Sequence, residues 1–433
     1  MKTVVPAAVW DVRPWGCPAF TVRDFNGDGK NEVLFVQNAG AHANEAFDPR
    51  VPDVQGYKTG VEEQELFCLT LTDGDGRVLW QVGEPWALER PFSWNGSNFC
   101  QVVDLDGDGQ VEIMLIHKSE LMVYKGATGE LCSRHSLPHS GFYFARAVRT
   151  DRSGRYHIFT KSVTTSATHG YGNPSLLLDH NFNVVWEVEV DGAGHGGNYA
   201  DVDGDGLDEL LIGFSLFDHD GSPLWSHSPM SDNDHLDDSV IADIDDDGRF
   251  EFALAHDGHD AVVHNSDGTV RFTVPMHHCQ NILPGRFFKD EPGLQLAFVD
   301  KALGRPEERE AAIVNAGGRE LSRHRTMGYY SVISWATDLG RDSLMRLEWP
   351  ARSDAEHRVV WVDPTGRELA KLKARENFHD RFQKFGLESF PAGGRYFGTC
   401  HNSTIGDVDG DGHDEFLVTD RERVWVFKQP RLS

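Results

Sequence analysis

The chain has 433 residues, well beyond the ~100–200 of a usual domain, so it holds several domains or one body closed from repeats. With 41 Lys and Arg against 68 Asp and Glu, its formal charge of −27 argues against nucleic acid and anionic membrane as partners. No stretch reaches the roughly 18 apolar residues of a membrane span, and the apolar run in "MKTVVPAAVWDVRP" is too short and proline-broken for a signal peptide; a soluble chain is expected, cytoplasmic or already trimmed.

In chain order, an acidic loop "DFNGDGKNE" begins at Asp24, and "LFCLTLTDGDGRVLWQV" follows it. "DLDGDGQVE" begins at Asp104 inside "FCQVVDLDGDGQVEIMLIH", followed by "LMVYKGATGELCSRH". A version without the acids, "ARAVRTDRSGRYHIFT", precedes "LLLDHNFNVVWEVEV". "DVDGDGLDE" at Asp201 leads to "SLFDHDGSPLWSH", and "DIDDDGRFE" at Asp243 to "AVVHNSDGTVRFTV". Two more degenerate segments, "GRFFKDEPGLQLAFVD" and "SWATDLGRDSLMRLEW", precede "AAIVNAGGRELSRH" and "RVVWVDPTGRELAKL". "DVDGDGHDE" at Asp407 and the lone strand "RVWVFK" close the chain.

Each acidic loop lies between short runs of Val, Ile, Leu and Phe, the mark of buried strands, and each second segment reads as a hairpin around an Asp, Asn or Gly turn. Two inner strands plus an outer hairpin make a four-stranded unit, and the shortest loop spacing, 42 residues, is that of a propeller blade. Counting the degenerate versions gives eight units. The last has one strand too few in its outer half, so the N-terminal "TVVPAAVW" is expected to complete it and leave no open sheet edge. The predicted fold is all-β: one eight-bladed β-propeller over residues 1–433, with seven blades as the alternative. The one modest helix candidate is "ELAKLKARENFHDRF", 368–382. The six cysteines (Cys17, Cys68, Cys100, Cys132, Cys279 and Cys400) show no CxxC pair and are expected to be free thiols.

The loops offer oxygen ligands at alternate positions of a Gly-bent turn: Asp24, Asn26, Asp28 and Glu32; Asp104, Asp106, Asp108 and Glu112; Asp201, Asp203, Asp205 and Glu209; Asp243, Asp245, Asp247 and Glu251; Asp407, Asp409, Asp411 and Glu415. Such a set suits Ca²⁺, which accepts six to eight oxygens flexibly, better than Mg²⁺. Five bound Ca²⁺ would bring the charge to −17. Their expected role is mainly structural, with one ion allowed at the active site. Because these loops join the two inner strands of a blade, chemistry is expected on the opposite face, where blade-to-blade connections gather.

Those connections hold about half of the 21 histidines. The residue six before the loop start is Asn98, His195, Asp237 or His401 in four different blades, so these positions ring the channel mouth. No nucleophile elbow or Walker-type phosphate loop is present.

The serial DxDGDGxxE loops in an eight-bladed propeller, "GHGGNYADVDGDG", the His-rich connections and "TCHNST" together resemble the rhamnogalacturonan lyases of polysaccharide lyase family eleven. The resemblance implies β-elimination: the C5 proton of a uronate is removed and the glycosidic oxygen at C4 leaves, which requires carboxylate neutralisation and a nearby base. On that reading His195 and His235, with Asp237 or Asp238, hold a cation or the carboxylate; Arg146 or Arg395 neutralises charge; and His401, Tyr396 or Lys161 is the base, His401 ranked first. Asn98, Tyr171, His169, His278, Tyr330 and Asn402 are substrate contacts. The implied partner is a uronate-containing oligo- or polysaccharide. Two rivals remain. One is a non-catalytic, calcium-stapled sugar-binding or adhesion propeller using Trp86, Trp94, Tyr171, Tyr329 and Tyr330 as platforms. The other is an enzyme with a transition metal on His195, His235, His277 and His278.

Overall fold

The structure, a computed structural model, describes residues 2–16, 19–38, 67–85, 100–117, 119–139, 141–162, 164–195, 197–300, 309–326, 328–333, 341–348, 358–373, 403–419 and 423–429. Apart from one 3₁₀ turn at Arg13–Trp15, the regular elements among them are strands. Eight sheets, each with four antiparallel strands in the expected order, inner strand to outer, form an eight-bladed propeller, and a two-stranded sheet of Thr165–Ser166 and Gly170–Tyr171 stands beside the third blade. The fourth blade, for example, runs Gly197–Ala200, Glu209–Ile212, Ser215–Phe217 and Pro223–Ser226; the fifth runs Leu236–Ala242, Glu251–His256, Ala261–His264 and Val270–Val274.

Both faces of the middle strands are covered, which explains their unbroken apolar runs: every residue of Glu251–His256 and of Glu112–His117 is buried. The core is accordingly split into eight clusters, one between each pair of neighbouring blades. The cluster between the fourth and fifth blades, for instance, joins Leu211, Phe214 and Leu216 to Leu236, Phe252 and Leu254.

A second device repeats around the rim. The fourth-strand ring of one blade lies on the turn glycine of the next: Trp10 on Gly76, Trp80 on Gly129, Trp186 on Gly221, Trp225 on Gly268, Phe272 on Gly318 and His324 on Gly366. A β-carbon at any of these glycines would fall 2.5–3.1 Å from the ring, and each has positive φ, so both space and backbone demand glycine. The Trp that recurs in the predicted hairpins is therefore a blade-to-blade contact.

Closure goes as expected and further. Ala8–Asp11 pairs antiparallel with Arg423–Phe427 and completes the eighth blade. Lys2–Val4 also adds in parallel to Glu368–Leu372, the outer edge of the seventh. This corrects the helix expected over 368–382: Glu368–Leu372 is a strand, because Val359–Val362 and Lys2–Val4 supply partners on both sides and override its helix-favouring composition; residues 374–382 lie outside the described ones. Cys68, Cys100, Cys132 and Cys279 are free thiols, as expected.

Candidate active site

The five acidic loops repeat one hydrogen-bond scheme. The first Asp accepts backbone N–H bonds from within the loop, as Asp104 does from Gly107 at 2.8 Å and Gly109 at 2.9 Å. The final Glu accepts the N–H of the second loop residue: Glu32 from Phe25, Glu112 from Leu105, Glu209 from Val202, Glu251 from Ile244 and Glu415 from Val408, at 2.5–3.0 Å. The remaining oxygens converge; one each from Asp104, Asp106 and Asp108 lie within 4.8 Å of one another. Among the described residues nothing donates to buried Asp201 Oδ1 or Asp245 Oδ1, although Arg271 holds the other oxygen of Asp245. Burial, then repulsion from Asp203, Asp218 and Asp201, pushes the Glu209 carboxyl up to about 7. In the fourth blade the donor set fits a hard divalent cation, which would relieve the orphaned Asp201 oxygen and the crowded charge around Glu209.

At the opposite strand ends, four blades bring one cluster together. His195 lies just before the first strand of the fourth blade, on a segment tied to both neighbours: Gly194 donates its N–H to the Tyr171 carbonyl at 3.1 Å, and His195 to that of Leu236 at 2.8 Å. His235 directly precedes Leu236–Ala242, and a register shift between Leu236 and Asp238 turns Asp237 inward. His278 precedes the first strand of the sixth blade, and Asp257 follows the second strand of the fifth.

The Asp237 side chain is 1% exposed. His195 Nε2 and His235 Nε2 lie 3.6 and 3.7 Å from its Oδ1, and His278 Nε2 lies 2.9 Å from its Oδ2. His278 Nδ1 is 2.8 Å from Asp257 Oδ1, and His235 Nδ1 is 3.5 Å from Asp257 Oδ2. Despite these approaches, neither Asp237 oxygen accepts a hydrogen bond of good geometry among the described residues. One ligand atom each from His195, His235 and Asp237 falls within 4.8 Å of the others, as does one each from Asp237, Asp257 and His278. The Tyr171 hydroxyl holds His195 Nδ1 at 3.2 Å, and its ring stands edge-on to both histidines at 5.0 and 5.5 Å.

Of the predicted residues, the structure thus joins His195, His235, His278 and Tyr171. It also chooses between the two aspartates: Asp238 is half-buried with its carboxylate on the N–H groups of Ile282 and Ser239, and desolvation pushes it up to about 6. Two expectations are corrected. Lys161 is fully buried with its Nζ donating to the Gly194 carbonyl, and burial holds it well below the ordinary lysine range; it braces the His195 segment and does not face substrate. Tyr330 is 1% exposed in the core between the sixth and seventh blades, its hydroxyl on His324 Nε2 at 2.8 Å, so it offers no sugar platform.

His169 pairs with Asp191 at 2.8 Å, and half-buried Arg146 donates to the Ala145 carbonyl. His401, Asn402, Tyr396, Arg395, Asn98, Trp86 and Trp94 lie outside the described residues. The sequence reading missed Asp257: it ends a second strand, away from the first-strand offset that marked the other positions, and only its place in "AHDGHD" hinted at it.

No family model matches the chain. By sequence it is 26% identical to the rhamnogalacturonan exolyase YesX of Bacillus subtilis over 258 residues, and 24% identical to the rhamnogalacturonan endolyase YesW of the same organism over 260. Each match covers 48% of this chain and 39% of the relative, so the matched region spans about two-fifths of the curated relatives' length. The crystal structure of the exotype lyase YesX superposes with a TM-score of 0.64 at 17% identity, covering 98% of this chain and 75% of that one. The V. cholerae biofilm matrix protein Bap1 superposes at 0.56 with 11% identity, covering 100% and 91%, so the fold alone does not carry the activity. With half its length matched by curated lyases and nearly all of it superposed on one of their propellers, this chain is similar to the rhamnogalacturonan lyases.

Proposed function

We propose that this propeller is a polysaccharide lyase of rhamnogalacturonan lyase type, cleaving a rhamnose–uronate linkage by β-elimination. The observation that carries the reading is Asp237: a buried carboxylate approached by three imidazoles, neither of whose oxygens accepts a hydrogen bond among the described residues. His195, His235, Asp237 and Asp257 would hold a divalent cation there, with His278 bridging the two carboxylates. Such a cation, calcium on this reading, supplies neutralisation of the uronate carboxylate and so acidifies the C5 proton.

This chain's residues do the rest. Tyr171 takes the Nδ1 side of His195 and leaves Nε2 on the Asp237 side, the orienting bond that ligating imidazoles usually have. Lys161, through Gly194, holds the backbone that carries His195. The base comes from the connections of the same face, with His401 the first choice. A neutral imidazole is the usable form there, and its ordinary pKa of ~6.5 provides it at neutral pH. Calcium in the fourth-blade acidic loop would anchor the far end of the strand that follows His195.

The test is incubation with rhamnose–uronate polymers while recording absorbance of an unsaturated uronate. Products with a 4,5-double bond support the reading; products heavier by one water refute it. A transition-metal enzyme is the second reading, favoured by the imidazole-rich donor set. Metal analysis after mild chelation separates them: the first reading expects calcium at His195 and His235, the second zinc, copper or iron.

A further inference from the structure

The five acidic loops share one backbone scheme, but different side chains approach them from the outer hairpins. In the fourth blade the outer hairpin brings Asp218 and His219, which stand with Glu209 within 4.8 Å, and a guanidinium, that of Arg152 in the third blade, reaches Asp205 at 2.9 Å from a side chain 70% exposed. In the fifth blade it brings Arg271. Its guanidinium donates to Asp245 and, at 3.2 Å, to Glu251 Oε1, the third and last residues of the loop. The same group is fixed by the Ala316 carbonyl of the sixth blade at 3.0 Å and by Asn265 Oδ1 at 3.3 Å.

Two departures from the repeat coincide here. Arg271 precedes Phe272, where the first, third and fourth blades put Leu79, Val185 and Leu224 before their Trp. Asp246 stands where the other four loops have a glycine, at φ 61°, and receives Arg286 of the sixth blade at 3.1 Å. The fifth loop thus has an acid where its sisters have glycine, and two guanidinium groups against it. In the eighth blade Lys428 also reaches Asp409 and Asp411, but from a side chain 47% exposed, whereas Arg271 is 23% exposed and fastened at four acceptors.

We propose that Arg271 closes the fifth-blade loop in the role a divalent cation has in the first, second and fourth blades, so that this loop keeps its shape without an ion. The inference rests on the reading of the acidic loops as cation sites. A guanidinium is always charged, and its planar fork matches carboxylates held at fixed positions. A divalent ion entering this loop must expel Arg271 from both carboxylates or sit beside it as a like charge.

Equilibrium dialysis of the metal-depleted full chain against calcium counts the ions. Relative to wild type, Asp203→Asn is expected to bind one ion fewer, Asp245→Asn the same number, and Arg271→Gln one more, with a larger fall in melting temperature on chelation. Arg271→Lys, which keeps the charge, retains the wild-type count and serves if the Gln variant folds poorly. Loss of one ion in both aspartate variants, or an unchanged count in Arg271→Gln, overturns the proposal. An unchanged count in Asp203→Asn overturns instead the cation-loop reading beneath it.

Discussion

Truncating His195 and His235 singly and together tests whether the two imidazoles act on one centre. Both Nε2 atoms approach the same Asp237 oxygen, at 3.6 and 3.7 Å, and the ring centroids are 5.2 Å apart. At that separation, groups that share a partner are expected to couple by 0.5–3 kcal/mol. Loss of an orienting outer partner already costs a metal site 10–100-fold, so each Ala variant should lower cation affinity and kcat/KM by at least ~10²-fold, about 2.7 kcal/mol. If they serve one centre, the double variant loses little more than the worse single one, roughly 10²–10³-fold instead of the ~10⁴-fold of independent sites. The assay is the initial rate of unsaturated product against calcium concentration, with a melting curve beside it. Neither histidine belongs to a core cluster and both are partly exposed, so stability should change by no more than ~1 kcal/mol. A double variant whose losses multiply, or singles that lose activity only by unfolding, would refute the shared centre.

Asp203→Ala should lower the calcium-loaded melting temperature, by the equivalent of ~2.7 kcal/mol if the ion is present at 100 times its Kd, while activity per folded molecule is retained; chelator should then affect the variant less than wild type. Tyr171→Phe removes a hydroxyl 3.2 Å from His195 Nδ1 and should slow turnover by roughly 2- to 12-fold, the range of ~0.5–1.5 kcal/mol for one hydrogen bond, with the melting curve unmoved. Gly268→Ala sets a β-carbon 2.6 Å from Trp225 at φ +81° and should cost about 2–5 kcal/mol in denaturant unfolding, from backbone strain and overpacking together. Lys161→Met bears on alkaline stability: burial lowers the folded-state pKa below 10.5, so the unfolded chain binds this proton more readily and wild-type stability rises as pH climbs through that window. The Met variant should lack the rise; an identical slope in pH-dependent urea unfolding would place Lys161 in water.

The contrast between Asp237 and Asp238 shows where reading the chain stops. As adjacent acids at one strand start they are chemically equal candidates, and only the register shift at Leu236–Asp238 sends one to the imidazoles and the other to Ile282 of the next blade. Lys161 and Tyr330 teach the same lesson in reverse. Their reactive groups qualified them, but a polar tip on an inner strand can be spent on a neighbouring carbonyl or imidazole as readily as on a ligand.

The sequence by itself determined the parts of this protein whose information is local and repeated. An acidic loop is nine residues long, its flanking strands follow at once, and the pattern recurs, so blade number, the all-β class and the donor sets could be read without the fold. The closing strand was legible because a missing partner leaves an edge that must be filled. Tertiary structure alone decided the mouth of the channel. Tyr171, His195, Asp257 and His278 come from four connections in different blades, and their meeting depends on which blade faces stack and where a strand slips by one residue. It also decided that Arg271, on an outer strand, turns back into the loop that precedes it. A side chain's target is set by the packing of its whole sheet, which no window of nine residues contains.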